Sequence, residues 1–138
     1  MNIGLIYATK TGHSRKIALA LQEALGVQAQ DIKTNPQLAD IDLLFLVGGI
    51  YGKESLPELI TYLQQLNNTQ VKKAVLLTSS VAKVFSQDHA RAVLTRNGIE
   101  VAKEEFKCQG SILFFIGRGH PNKTDLTNAV AFAKQWIE

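Results

Sequence analysis

The residues of this chain best suited to chemistry lie together near its start, in Ala8-Thr9-Lys10-Thr11-Gly12-His13-Ser14. Thr9, Thr11 and Ser14 supply hydroxyl donors, Gly12 allows close backbone approach, and Lys10 and His13 add basic side chains. The apolar run Ile3–Tyr7 precedes them, and Arg15–Leu25 repeats apolar residues at helical spacing, so the segment reads as a strand, a turn and a helix start. A helix N-terminus offers unpaired N–H groups and a partial positive charge, so a phosphate fits there without an arginine. The same residues also suit an ordinary helix cap, because Ser and Thr are favoured at that position with or without a ligand.

Two further turns carry comparable residue types. Gly48-Gly49-Ile50-Tyr51-Gly52-Lys53 follows the apolar run Leu43–Val47, and Thr78-Ser79-Ser80-Val81-Ala82-Lys83 follows Ala74–Leu77. The three glycines at 48, 49 and 52 permit backbone conformations that other residues resist. Tyr51 among them has two readings: one wall of a stacking site, or a ring packed on the rim with its hydroxyl in water. His13 either contacts an anion or faces solvent, and His89 lies in a polar helix start with no evident role. His120 belongs to a binding rim or organises the turn into the last helix through Pro121. No triad or paired carboxylates are evident, so no catalytic residue is named and hydrolysis has no support. The single Cys108 excludes an internal disulfide, and no Cys/His cluster has metal-ligand spacing.

Positioning these turns requires a sheet. The apolar runs are Ile3–Tyr7, Val27–Ile32, Leu43–Val47, Ala74–Leu77 and a less clear stretch from Ile99 to Ile116. Between them, Arg15–Leu25, Leu56–Leu66, Gln87–Arg96 and Asp125–Ile137 are amphipathic. Ser86 is placed to cap the third helix, and Asn122 with Asp125 resembles a capping box for the fourth. Lys33–Asp42 is short and contains Pro36, so any helix there is brief. Continuously apolar strands alternating with helices imply an α/β fold, a doubly wound parallel sheet of five strands in order 2-1-3-4-5 with helices on both faces. Such sheets bind ligands beyond the carboxyl ends of their strands, where the three turns converge. Ile112–Phe115, between Gly110 and Gly117, reads as core strand, with a flap or a docking patch as alternatives.

At 138 residues, 46% apolar and 20% charged, the chain fits one soluble domain spanning 1–138. Met1 is followed almost at once by a core strand, which leaves no room for a signal peptide, and no apolar stretch is long enough to span a bilayer. A cytoplasmic protein without membrane contact is expected. The net charge of +3 is spread along the chain with no aromatic-interleaved basic stripe, so nucleic-acid binding is not expected. Nothing in the sequence fixes an oligomeric state.

Together these residues resemble the flavodoxin family, whose members hold FMN noncovalently. Thr9-Lys10-Thr11-Gly12-His13-Ser14 is similar to the family's phosphate loop, and Gly48–Gly52 takes the place of the loop after strand 3. Gly49-Ile50-Tyr51-Gly52-Lys53 and Gly119-His120-Pro121-Asn122-Lys123-Thr124-Asp125-Leu126 resemble a branch of short flavodoxin-like proteins. The resemblance implies FMN as cofactor. Its phosphate would sit on the N–H groups of residues 10–14 and on the hydroxyls of Thr9, Thr11 and Ser14, with Lys10, Gly12 and His13 completing the loop. The ring would lie between Gly48, Gly49, Ile50, Tyr51 and Gly52 on one side and Thr78, Ser79, Ser80 and Val81 on the other. In the family a peptide beside a glycine flips toward the flavin N5, which Gly48 or Gly49 would permit. The loop after strand 4 departs from the family in lacking a glycine and an aromatic, Phe85 being the nearest, so stacking on one side only is implied.

Family electron carriers surround the flavin with acids, whereas this rim carries Lys10, His13, Lys53, Lys83, Arg118 and His120 against Glu54. A nearby cation stabilises the reduced ring by about 1 kcal/mol or more, and about 1.4 kcal/mol corresponds to 60 mV in a one-electron step. The resemblance thus implies an FMN electron-transfer protein whose hydroquinone potential is less negative than that of acidic flavodoxins. Redox partner proteins with acidic surfaces would be steered to it. An FMN-dependent quinone or flavin-type oxidoreductase, and a cofactor-free module with a degenerate site, are the alternatives. Phosphoreceiver domains and low-molecular-weight phosphatases are excluded, because Ala8-Thr9 and Gly48-Gly49 lack the acidic residues and Thr9–Ser14 lacks the cysteine.

Overall fold

The computed structural model describes residues 1–80, 85–109 and 121–137, with only the backbone of Gln109. The expected roles of Val81, Lys83, Arg118 and His120, and of Ile112–Phe115, lie outside the described residues.

Five strands form a parallel sheet: β1 (Ile3–Ala8), β2 (Ala29–Asp31), β3 (Ile41–Tyr51), β5 (Val71–Ser80) and β6 (Glu100–Gln109). Their order is β2-β1-β3-β5-β6, the doubly wound order that continuous apolar strands and intervening helices predict. A two-residue strand β4 (Glu54–Ser55) folds back antiparallel on the end of β3. The helices are α1 (His13–Leu25), α2 (Pro57–Leu63), α3 (Asp88–Arg96) and α4 (Lys123–Lys134).

The central strands β1, β3 and β5 carry long apolar runs because both of their faces are covered, and their residues alternate between two cores. Leu5, Phe45, Val47, Val75 and Leu77 pack with Ile17 and Leu21 of α1 and Ala129 and Ala133 of α4. Ile6, Leu44, Leu46, Ala74 and Leu76 pack with Leu59 and Leu63 of α2 and Val93 and Leu94 of α3.

The elements differ from the expected ones in instructive ways. Strand 2 is shorter than Val27–Ile32, because the Asp31 carboxylate accepts the Lys33 N–H and turns the chain into a 3-10 turn, Ile32–Thr34. Strand 3 runs past Val47 to Tyr51, so Gly48-Gly49-Ile50-Tyr51 is strand and not loop. Ile50 pairs with Ser55 and Tyr51 with Glu54 around Gly52 (φ 59°) and Lys53 (φ 71°), the two positive φ values that a type I′ hairpin needs. Ser86 does not cap α3: Gln87 stands at that position without a side-chain cap, and the Ser86 hydroxyl donates to Asp88. At α4 the expected capping box is complete, the Asn122 and Asp125 side chains each accepting the other's N–H at 2.8–2.9 Å.

Candidate functional site

The strand register gathers the three turns. Ala8 is aligned with Gly48, Gly48 with Thr78, and Gly49 with Ser79, so residues following β1, β3 and β5 share one carboxyl edge. The chain leaves β1 at Ala8 and enters α1 at His13. Between them the Thr9 hydroxyl accepts the Gly12 N–H at 2.8 Å, which leaves the hydroxyl proton of Thr9 to donate elsewhere. Gly12 has φ 91°, a left-handed value that favours glycine, and a Cβ there would meet nothing within 4 Å. Among the described residues no side chain caps α1, and its first turn holds no acid. Among the described residues, the leading N–H groups of α1 therefore have no side-chain acceptor.

Thr11 and His13 share a short hydrogen bond between Oγ1 and Nδ1. Partial burial, with Lys16 nearby, lowers the His13 pKa below its usual 6.5. Ser14 is fully buried, and its hydroxyl lies 3.4 Å from that of Ser79, tying the start of α1 to the end of β5.

Tyr51 reaches across the rim. Its hydroxyl accepts the Lys10 N–H at 3.1 Å, and the Lys10 ammonium lies 5.9 Å from its ring centre. The ring lies over Gly49, where a Cβ would stand 2.5 Å from the tyrosine oxygen. On the other face of β3 a Cβ at Gly48 would stand 2.5 Å from Gln87 Oε1. The adjacent glycines thus admit two side chains from opposite sides, Tyr51 and Gln87, while their own backbone stays extended.

Beneath the β5 turn lies a polar network that residue spacing gave no reason to expect. Thr78 is fully buried, and its hydroxyl donates to Glu105 Oε2. The same oxygen accepts the Gln87 N–H at 2.9 Å, and Glu105 Oε1 pairs with Arg91 at 3.2 Å. Gln87 Nε2 donates to the Leu77 carbonyl at 3.0 Å and to Thr78 Oγ1 at 3.2 Å. The Thr78 hydroxyl thus points into the fold, whereas Ser79 faces Ser14. Ser80 is buried and Val81 lies outside the described residues. His89 lines a polar cavity of about 360 Å³ with Ile50, Lys53, Glu54, Ser55, Ser86 and Asp88. Among the described residues no group of three or more His, Cys, Asp or Glu side chains could hold a metal ion.

A family profile described as a flavodoxin domain matches residues 4–113. Among curated proteins none matches the sequence. Solved structures share the fold at low identity. Flavodoxin 2 from Bacillus cereus is 16% identical, with a TM-score of 0.73 over 99% of this chain and 98% of that one. A short-chain flavodoxin associated with a bacterial microcompartment is 20% identical, with a TM-score of 0.71 over 99% and 97%. An NAD(P)H:quinone oxidoreductase from Methanothermobacter marburgensis is 13% identical, with a TM-score of 0.68 over 100% and 96%.

Proposed function

This chain belongs to the flavodoxin family, and on that premise we propose that it is an FMN-binding electron carrier whose phosphate site is the Thr9–Ser14 turn. The observation that carries this reading is the start of α1, where among the described residues the first turn holds no acid and no side chain caps the helix. A dianionic phosphate is the group such a donor set lacks. The N–H groups of residues 10, 11, 13 and 14 and the hydroxyls of Thr9, Thr11 and Ser14 would hold it, with the Gly12 N–H kept by Thr9, at the carboxyl ends of three adjacent parallel strands. Bound FMN supplies one- and two-electron transfer.

The protein's part is to bind, orient and set charge. The Tyr51 ring stands between the turn and Gly49, where it is available as a wall for the flavin. Entry of a phosphate asks the Lys10 N–H to exchange the tyrosine oxygen for a phosphate oxygen, a stronger acceptor because it is charged. Gly48, Gly49, Ile50 and Gly52 bring backbone to the same edge, and Ser79 and Ser80 close it from β5. Lys10 and Lys53 are exposed on this rim, with Glu54 as the adjacent acid. That balance supports a second reduction potential less negative than that of an acid-ringed flavodoxin, and redox partners with acidic contact surfaces. Among the described residues no helix is long and apolar enough to cross a membrane, and a cytoplasmic carrier is the matching reading.

A quinone-type FMN oxidoreductase is the second reading, favoured by the likeness to the quinone oxidoreductase over nearly the whole of both chains. The test is an FMN titration of the apoprotein followed by potentiometry. Saturable quenching of flavin fluorescence with a raised second potential supports the carrier. Rapid turnover of NAD(P)H with a quinone supports the enzyme, and no binding at micromolar FMN overturns both.

A further inference from the structure

Glu105 is the least expected residue beside the rim. It sits on β6 just after a register shift: Ala74 pairs with Val101, but Leu76 pairs with Glu105, so β6 spends two more residues than β5 over this step. Its side chain is only 5% exposed, on the face where α3 packs. A carboxylate taken from water into such a place is costly unless every acceptor site finds a donor. Here they do. Oε1 takes the Arg91 guanidinium, whose other nitrogen is fixed on the Ala102 carbonyl at 2.7 Å. Oε2 takes the Thr78 hydroxyl and the Gln87 N–H.

Those last two donors have a particular place in the chain. Thr78 is near the end of β5 and Gln87 is the N-cap of α3, so one oxygen atom joins the residues on either side of the β5–α3 connection. Thr78 is followed by Ser79, whose hydroxyl faces Ser14 in the turn assigned to phosphate. Gln87 also lies against Gly48 of β3. Arg91, Glu105, Thr78–Ser79 and Ser14 therefore form a continuous path from α3 to the start of α1.

We propose that Glu105, held by Arg91, is a positioning residue for the cofactor rim: its carboxylate fixes the end of β5 to the start of α3 and so sets Ser79 against the Thr9–Ser14 turn. The role rests on the FMN reading but depends on no contact between Glu105 and the flavin. A neutral amide cannot replace the carboxylate. Whichever way it is turned, its NH₂ group faces a donor, either the Arg91 guanidinium or the Gln87 N–H.

The experiment compares wild type with Glu105→Gln, Thr78→Val and Leu94→Ala. Leu94, near the C-terminal end of α3, is fully buried in the core and serves as a variant that loses stability without removing a hydrogen bond of the Glu105 network. FMN affinity is read by fluorescence titration, the bound flavin by visible circular dichroism, and rim order by amide exchange on the apoproteins. Glu105→Gln and Thr78→Val are expected to weaken FMN by about tenfold each. Both should alter the flavin dichroism and speed exchange at Ser79 and Ser80, with the double variant little worse than either single one. Leu94→Ala should lower the melting temperature while leaving affinity within about twofold of wild type. Wild-type affinity, dichroism and rim exchange in Glu105→Gln would overturn the proposal while leaving FMN binding intact. If wild type itself binds no FMN, the functional reading fails, and amide exchange alone decides the clamp: faster exchange confined to the rim upholds it, and unchanged exchange overturns it.

Discussion

At the scale of single residues, the paired glycines of β3 make the sharpest prediction. An added Cβ at Gly48 meets Gln87, a fully buried side chain fixed by two hydrogen bonds, whereas one at Gly49 meets Tyr51, which is only half-buried. Gly48→Ala should cost about 1–3 kcal/mol of stability, the usual penalty of overpacking, measured by urea unfolding. Gly49→Ala should cost less stability but push Tyr51 from its place, and weaken FMN by about tenfold in a fluorescence titration. Equal losses of stability with unchanged affinity would contradict both roles. His13 makes a second prediction. Its folded pKa lies below 6.5, so between that value and 6.5 the unfolded chain binds the extra proton. The resulting stability is complete above about pH 6.5 and is lost as pH falls toward the folded pKa. His13→Asn should flatten that part of the stability-versus-pH curve, and an unaltered slope would contradict the assignment.

At the scale of elements, capping separates two helices that look alike in sequence. Asn122→Ala breaks a reciprocal box and should destabilise the fold by about 1 kcal/mol, whereas Ser86→Ala removes no cap and should stay within about 0.5 kcal/mol in thermal unfolding. The same scale shows how far the sequence could be read. Strands β1, β3 and β5 were legible because burial on both faces leaves long apolar runs, and the turn before α1 was legible because its residue types are those a phosphate needs. The end of β3 was not. Gly48-Gly49 suggests a loop, and only the close approach of Tyr51 and Gln87 explains why a strand carries glycines there. Strand β6 was blurred by Glu100, Glu104 and Glu105 and by its two-residue shift. Glu105 could not be recognised as buried, because its partner Arg91 lies 14 residues away on a helix and only the fold brings them together.

At the scale of the whole molecule, the doubly wound sheet places three chemically distinct turns on one edge and leaves their charge to set the potential. Lys10 and Lys53 are exposed cations at that edge. Lys10→Gln and Lys53→Gln should each lower the second reduction potential of the FMN-loaded protein by roughly 20–40 mV, since exposed charges act through a high effective dielectric. Potentials that do not move would show that these lysines are only solvated surface. The central claim is that the Thr9–Ser14 turn is a phosphate site, and the most direct measurement compares FMN with riboflavin binding to the same apoprotein. Two charge-assisted hydrogen bonds at about 1.5 kcal/mol each correspond to a factor of about a hundred, so FMN should bind at least that much more tightly. Equal affinity for the two flavins, or binding of neither, would contradict the account.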